Sequence, residues 1–158
     1  EYKRLIKHRE HITDLPKNYE KFKELKYNNK TEYDKIKEEQ YDIRIRKLLG
    51  TDKYPLTVHE GKQGKHIENH NNQIEGRSIV NITIPEIQEL INKYHGTGEL
   101  KKVNKKWIKK EFITTDKKIG IYISEDGKIR EESKKFTIIY SKNGTHIVPR
   151  NPKGDKDI

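Results

Sequence analysis

The stretch that decides the fold runs over residues 136–149 and reads FTIIYSKNGTHIVP. Apolar and polar residues alternate on both sides of Asn143 and Gly144. An Asn-Gly pair flanked in this way is a strong signal for a β-hairpin with a two-residue loop. Such a loop would pair Ser141 with His146. The sequence therefore predicts two antiparallel strands in this part of the chain.

Alternation gives the two faces of this hairpin different characters, because successive side chains of a strand point to opposite faces. One face is suited to a buried core and carries Phe136, Ile138, Tyr140 and Ile147. The other face carries Thr137, Ile139, Ser141, His146 and Val148. We expect the polar members of the second set to line an outward or cleft-facing side of the sheet. An ordinary exposed sheet face is the competing interpretation.

A helix and further strands precede the hairpin. Pro85 in a first turn, an apolar stripe and Gly96 after the last turn predict a helix over residues 85–95. Alternation predicts strands over residues 107–114, 119–124, 135–141 and 145–149. The sequence thus predicts an α+β fold in which a helix packs on an antiparallel sheet of about four strands.

Residues 1–58 differ from the rest of the chain, since they are dense in Lys, Glu and Tyr and contain one glycine, Gly50. They predict a helical hairpin, its first helix opened by Pro16 and its second capped by Thr31. The thin apolar stripes of these helices are Tyr19, Phe22 and Leu25, then Ile36, Ile43, Leu48 and Leu49. We expect residues 1–58 to be an extension or linker, residues 59–152 a folded domain and residues 153–158 a disordered tail.

Composition restricts the classes of protein open to this chain. Its 158 residues include 35 Lys+Arg and 25 Asp+Glu, for a formal charge of +10, and 30% are hydrophobic. This is enough for a small core only. The absence of Cys excludes a disulfide scaffold and thiol catalysis, and no stretch approaches the ~18 apolar residues of a membrane span. Since Met is absent and Glu1 comes first, we expect a piece of a longer or processed protein.

Most of the seven histidines have simple structural interpretations. We expect the solvated surface to hold His8, His11 and His59, which lie on polar segments. His95 comes at the end of the predicted helix, where a cation favours the helix dipole. His66 and His70 have the spacing of two metal ligands, but a third ligand is lacking, so we predict no metal.

His66 and His146 are the histidines with chemical promise, because imidazole titrates near neutral pH. Lys65 precedes His66, and Arg77 and Ser78 follow eleven residues later. Such a group can hold a phosphate and titrate at the same place. The predicted position of His146, beside two hydroxyl residues on the polar face of the hairpin, supports a chemical role for it.

A basic run with six lysines in residues 101–110 surrounds the only Trp, Trp107. The overall charge favours a patch that faces a polyanion, and a solvated face is the alternative. Glu111 ends the run, and strict alternation puts it on one face with Trp107 and Lys109. It is either a salt-bridge partner, or an orienting group or base kept ionised by the lysines.

Several separated motifs resemble those of the polymorphic toxin type 50 family. In chain order they are Lys62-Gln-x-Lys65-His66-Ile67, Gly76-Arg77-Ser78, Gly96-Thr-Gly98, Trp107-x3-Glu111 and the stretch over 136–149. The resemblance covers residues 60–152. It implies a barnase/EndoU/colicin-like ribonuclease fold and a metal-independent endoribonuclease used as a bacterial toxin. Residues 17–58 resemble, more faintly, the segment that precedes such domains in phage minor head proteins.

The resemblance also implies a site. The family's polar motif positions fall on the candidate catalytic residues Lys65, His66, Glu111, Thr137, Ser141 and His146. We expect His66 and His146 to share the roles of base and acid in an order left open, and Glu111 to orient one of them. Lys65 and Arg77 would stabilise charge on the phosphate. The remaining substrate-binding candidates are Ser78, Lys105, Lys106 and Lys109.

The implied partners are RNA, a cognate immunity protein and phage portal or head proteins, with no cofactor and no membrane. The resemblance implies a virion-associated or secreted protein that acts in the bacterial cytoplasm. Two other hypotheses stay open. One is a DNA-binding virion component without enzymatic activity, and the other is a metal-dependent DNA nuclease.

Overall fold

A computed structural model describes residues 29–154 of the chain. Helices and two antiparallel sheets make up these residues, which confirms the predicted α+β class. The chain divides after Leu48 into two compact units, and each is described by itself. All of the described candidate site residues lie in the second unit, which begins at Leu49.

Helix α1, Lys30–Leu48, is the element of the first unit that the structure describes. Asn29 caps it, since its Oδ1 accepts the backbone N–H of Glu32 at 3.1 Å. The prediction that Thr31 is the cap is therefore wrong, because Thr31 lies inside the first turn. The buried side chains of α1 are Ile36, Gln40 and Ile45, whereas Ile43 is half-buried. The residues outside the described range include the predicted first helix with Pro16, Tyr19, Phe22 and Leu25, and also His8 and His11.

The second unit contains a short helix and a longer one. Helix α2, Glu60–Gln63, continues into a 3₁₀ turn, Gly64–His66. Helix α3, Ile84–Tyr94, confirms the helix predicted over 85–95, with a shift of one residue. A reciprocal capping box starts α3, in which Thr83 Oγ1 accepts the Glu86 N–H and the Glu86 carboxylate accepts the Thr83 N–H.

The described strands form two sheets instead of the one predicted. The strands are β1 (Ile79–Val80), β2 (Glu99–Val103), β3 (Lys106–Thr114), β4 (Gly120–Ile123), β5 (Arg130–Ser133), β6 (Lys135–Ser141) and β7 (Gly144–Pro149). A four-stranded sheet has the order β2-β3-β6-β7, and a three-stranded sheet has the order β1-β4-β5. The predicted strands 107–114, 135–141 and 145–149 share the larger sheet, but 119–124 lies in the smaller one.

Strand β2 takes the place in the larger sheet that was expected of residues 119–124. Its sequence is Glu-Leu-Lys-Lys-Val, and only Leu100 is buried. A charged, short strand with one buried side chain is typical of a sheet edge. Such a segment resembles a solvated lysine run in sequence, so alternation does not predict it as a strand.

The hairpin of β6 and β7 forms as predicted, but its loop lies one residue earlier. Ser141 pairs with Gly144, and Ile139 pairs with His146, so the two loop residues are Lys142 and Asn143. The prediction that Ser141 pairs with His146 is wrong. The backbone φ of Gly144 is +130°, and a Cβ there would lie 2.8 Å from a backbone oxygen of a neighbouring segment, so glycine is required.

The faces of the larger sheet keep their predicted assignment, because the register error moves each partner by two positions. Phe136, Ile138 and Ile147 are fully buried, and Tyr140 is 1% exposed, as expected for a core face. His146 lies on the other face. Its neighbours on this face of β7 are Gly144, which pairs with Ser141, and Val148, which pairs with Thr137. We call this second side of the four-stranded sheet the open face, since most of its side chains are half-exposed or exposed.

Candidate active site

The outer edge of β7 is covered by the chain segment that precedes and includes α2. The Thr57 carbonyl accepts the Thr145 N–H at 2.9 Å, and the His59 N–H donates to the Thr145 carbonyl at 2.8 Å. The fully buried Gln63 completes this edge, since its Nε2 donates to the Ile147 carbonyl at 3.0 Å and its Oε1 accepts the Ile147 N–H at 2.7 Å. We call this pair of bonds the Gln63 clamp. It fixes α2 against β7.

The Gln63 clamp brings together two histidines that are far apart in sequence. His66 ends the 3₁₀ turn that directly follows Gln63, and His146 lies on β7. Their ring centroids are 6.2 Å apart and their planes differ by 15°, so the rings are nearly parallel. The prediction that these two histidines form a pair therefore has the geometry it needs.

His66 is buried and is held by a backbone carbonyl. Its Nδ1 lies 2.9 Å from the Ser78 carbonyl oxygen, and only 7% of the residue is exposed. Burial lowers the pKa of His66 below its ordinary value, and the charges of Arg77 and Lys65 lower it further. The Ser78 carbonyl opposes this lowering of the pKa, because it accepts a hydrogen bond from the protonated ring.

His146 has a more unfavourable environment for a positive charge. Burial, followed by the charges of His66, Lys62, His59 and Lys65, lowers the pKa of His146 to about 4. Within residues 29–154, no hydrogen bond to its ring nitrogens supports the imidazolium form. His146 is therefore neutral at pH 7, with a lone pair available to take a proton.

Hydroxyl groups and an ammonium group flank this pair on the open face. Ser141 Oγ donates to the Gly144 carbonyl at 2.6 Å, and Lys62 Nζ lies 3.5 Å from the same Oγ. Thr137 pairs with Val148, which lies two residues after His146 on β7, and only 7% of Thr137 is exposed. The predicted clustering of Thr137, Ser141 and His146 on one face is confirmed by the strand register.

Glu111 lies on the core face and does not orient either histidine. It pairs with Ile138, whereas His146 pairs with Ile139, so the two side chains leave opposite faces of the sheet. The fully buried carboxylate accepts hydrogen bonds from Gly96 N–H at 2.9 Å, Gly98 N–H at 2.7 Å and Tyr140 Oη–H at 2.6 Å. The predicted orienting role is wrong, and these bonds show a structural one.

Ser78 also differs from its prediction as a substrate-binding residue. Its hydroxyl accepts the Ile123 N–H at 2.9 Å and lies 3.3 Å from the Ile123 carbonyl, which it can donate to. The side chain is therefore engaged with β4, and the carbonyl of Ser78 serves His66. Ser78 is a positioning residue, and Arg77 beside it is exposed.

The basic run occupies the hairpin of β2 and β3. Lys105 lies in the turn with φ of +66°, and Lys109 has φ of +64° in β3. The irregular backbone at Lys109 breaks the alternation, so that Trp107 and Glu111 are buried while Lys109 is exposed. The expectation that Lys109 shares a face with them is wrong. Lys110 pairs with Ile139 and so lies on the open face.

Neither His59 nor Lys62 has a predicted role in the site, although Lys62 opens one of the family motifs. His59 caps α2, since its Nδ1 accepts the Lys62 N–H at 3.1 Å, and both residues lower the pKa of His146. The expectation of a solvated His59 is wrong, because the residue is half-buried. The sequence signal was indirect, since Lys62 stands three residues after His59 and three before Lys65, a helical spacing.

The other histidines have structural roles. His95 is the C-cap of α3, and its Nδ1 lies 3.0 Å from the Ile91 carbonyl and 2.9 Å from the Asn92 carbonyl. His70 accepts the Asn72 N–H at its Nδ1. Among residues 29–154, no group of three or more His, Cys, Asp or Glu side chains could hold a metal ion. No helix in that part of the chain is both long and apolar enough to cross a membrane.

The fold and the paired histidines fit a small toxin domain, and comparison with known families identifies it. The chain matches the family described as bacterial toxin 50 over residues 58–149, which is more than half of its length. The chain belongs to this bacterial toxin family. Comparison with curated proteins gives no match. The matched range begins at the segment that covers β7 and ends with β7 itself, so it contains both histidines.

Proposed function

We propose that the second unit is a metal-independent endoribonuclease that cleaves RNA through the substrate's own 2′-OH. The observation that carries the proposal is the pair of nearly parallel imidazole rings, His66 and His146, 6.2 Å apart and close enough to Lys62 and Lys65 for both lysines to lower the pKa of His146. RNA transesterification needs a base, an acid and positive charge on the phosphate. This cluster supplies all three, and membership of a bacterial toxin family fits a destructive activity.

The environments of the two rings assign their roles. His146 is the base, because burial and the surrounding cations lower its pKa to about 4 and keep it neutral. His66 is the acid, because the Ser78 carbonyl stabilises its protonated ring. The charge of His66 is itself one cause of the lowered pKa of His146, which is consistent with His66 holding its proton longer.

The reaction then balances as one displacement at phosphorus. His146 takes the proton of the 2′-OH while the 2′-oxygen forms its bond to phosphorus. The bond from phosphorus to the 5′-oxygen breaks, and His66 gives its proton to that oxygen. Lys62, Lys65 and Arg77 stabilise the negative charge that accumulates on the other phosphate oxygens. The products carry a 2′,3′-cyclic phosphate and a 5′-OH.

The test compares matched oligonucleotides. We expect purified protein to cleave RNA in the presence of EDTA and to leave 2′,3′-cyclic phosphate ends, detected by mass spectrometry. The same strand with one 2′-deoxy sugar at the scissile nucleotide should stay intact there. Loss of activity with EDTA, or equal cleavage of DNA, would instead support a metal-dependent DNA nuclease. Binding of DNA and RNA without cleavage of either would favour the non-enzymatic virion component.

The pH dependence of kcat/KM should place its optimum on the acidic side of pH 6.5. The free enzyme is active only when His146 is neutral and His66 is charged, which gives a bell-shaped profile. The pKa of His146 is lowered to about 4, so the acidic limb should fall near that pH. The pKa of His66 is also lowered, so the alkaline limb should lie below pH 6.5. Steady-state rates at low substrate concentration between pH 3 and 9 measure both limbs, and an optimum above pH 7 would contradict the assignment.

The exposed lysines of the β2–β3 hairpin should add affinity that depends on salt. Each phosphate contact with a single strand contributes about 0.7 to the slope of log K against log salt concentration. Replacing Lys105, Lys106, Lys109 and Lys110 with Gln should therefore reduce that slope by up to about 3. Fluorescence anisotropy with a labelled all-deoxy strand, which the proposed reaction cannot cleave, measures this slope between 50 and 300 mM salt. The control is Lys117→Gln with Lys128→Gln, two exposed positions outside the hairpin, and a control loss of equal size per charge would make the effect nonspecific.

A further inference from the structure

The open face extends well beyond the histidine pair. Across the four-stranded sheet, Phe112 pairs with Thr137, and Thr137 pairs with Val148, so the three lie in one row on this face. His146 stands two residues from Val148 along β7. The face is half-exposed at Phe112 and Val148, in contrast to the buried residues on the other side of the same strands.

Phe112 is an aromatic ring with cationic side chains on it. The guanidinium carbon of Arg150 lies 4.1 Å from the ring centroid, and Lys101 Nζ lies 5.8 Å from it. Arg150 is positioned by its backbone, since its N–H donates to the Lys135 carbonyl at 2.8 Å and its carbonyl accepts from Ser133 Oγ at 2.6 Å. A planar cation on an aromatic ring, with a second cation nearby, has the composition of a surface on which a nucleobase stacks.

The distance from this stack to the histidines suits a strand of nucleic acid. Phe112 and His146 are two strands apart and offset by two residues, which corresponds to roughly 12 Å at the usual strand spacing and rise. A few nucleotides of single strand span that distance. Lys110 lies on the same face, two residues before Phe112 on β3 and in one cross-strand row with Ile139 and His146, where it can meet a phosphate.

We propose that the Phe112–Arg150 stack is a subsite for one nucleobase of single-stranded RNA, a few nucleotides from the scissile phosphate. The inference rests on the proposed function for the position of the scissile bond. Stacking accepts any base, so the subsite adds affinity and registers the strand without setting a sequence. A base held in a duplex cannot reach the ring, so the subsite selects unpaired strands.

The experiment scans one abasic nucleotide along a DNA strand that contains a single ribonucleotide. Cleavage can occur only at that ribose, so every position has a known distance from the cut. In the wild-type protein, an abasic nucleotide at one position a few nucleotides away should lower kcat/KM by about 5- to 100-fold, in line with the loss of one stacked base. The other positions outside the cut should respond less.

Phe112→Leu should abolish that position dependence while the protein still cleaves the intact strand. Arg150→Gln keeps the Phe112 ring and removes the stacked cation, so it should reduce the effect of an abasic nucleotide at the same position. This test remains if Phe112→Leu does not fold. Tyr122→Leu is the matched control, because Tyr122 is a half-exposed aromatic residue in the smaller sheet. It should leave the scan unchanged.

The same scan in an all-deoxy strand separates the subsite from the chemistry, because this strand binds but cannot be cleaved through a 2′-OH. Anisotropy should show weaker binding at the same abasic position, and Phe112→Leu should remove that dependence. If no strand is cleaved but this binding pattern holds, the proposed function fails and the subsite stands. The subsite proposal is wrong if the abasic scan shows no position dependence in the wild-type protein, or if Phe112→Leu leaves that dependence unchanged. Arg150 would then only shield the Phe112 ring from solvent.

Discussion

His146→Ala and His66→Ala should each lower kcat for RNA cleavage by at least about 10²-fold, the lower end of what a positioned acid or base contributes. Each variant removes one end of a proton transfer that the other ring cannot replace. The double variant should lose little more than the single ones, because base and acid act in the same step. Single-turnover rates with saturating enzyme measure this loss without a contribution from substrate affinity.

Folding must be intact for that comparison, and circular dichroism with thermal unfolding checks it. His95→Gln is the matched control, since His95 lies at the end of α3 and its Nδ1 is within hydrogen-bond distance of two helix carbonyls. It should change stability slightly and leave the cleavage rate unchanged. Additive losses in the double histidine variant, or full activity in either single variant, would contradict an acid–base pair.

Glu111→Ala should strongly lower the stability of the protein. The fully buried carboxylate accepts hydrogen bonds from the Gly96 and Gly98 N–H groups and from the Tyr140 hydroxyl. A hydrogen bond to a charged group contributes about 1.5–3 kcal/mol, so loss of this acceptor should lower the free energy of unfolding by about 3 kcal/mol or more. For a chain of this size, that corresponds to a loss of roughly 10 °C in Tm.

Urea unfolding followed by tryptophan fluorescence measures this change, since Trp107 is buried in the same core. Glu99→Gln is the control, because Glu99 is an exposed carboxylate on the neighbouring strand and should change the free energy of unfolding by less than about 0.5 kcal/mol. The structural role also predicts that folded Glu111→Gln cleaves RNA nearly as fast as the wild-type protein. A stable but inactive Glu111 variant would restore the orienting role that the sequence suggested.

The sequence predicts those parts of the fold in which one physical signal dominates. Alternation around the β6–β7 loop assigns the right residues to the core, even though the loop is displaced, because a shift of two positions preserves the faces. Pro85 in the first turn of α3 and Gly96 just after its end are also a local signal, and they predict this helix to within one residue. Both signals need only neighbouring residues.

The sequence fails where a role depends on distant partners or irregular backbone. Strand β2 has one buried residue, so its sequence lacks the alternation of apolar and polar residues that would predict a paired strand. The irregular backbone at Lys109 turns that lysine away from the face that Trp107 and Glu111 share, and a lysine-rich sequence does not predict the hydrogen bond from Tyr140 to the buried Glu111. Lys62 and His59 join the site only because the edge of β7 recruits the segment that carries them.

The Gln63 clamp determines the stage of folding at which His66 and His146 come together. It joins residues 84 positions apart and involves the last strand of the domain, so His66 and His146 meet only after that strand has docked. A nascent chain that has exposed residues only up to the β6–β7 loop contains His66 but not His146, so it lacks the pair on which the proposed cleavage depends. Local opening of the same edge, without loss of the helix and sheet core, would separate the two rings and reversibly interrupt the proposed cleavage.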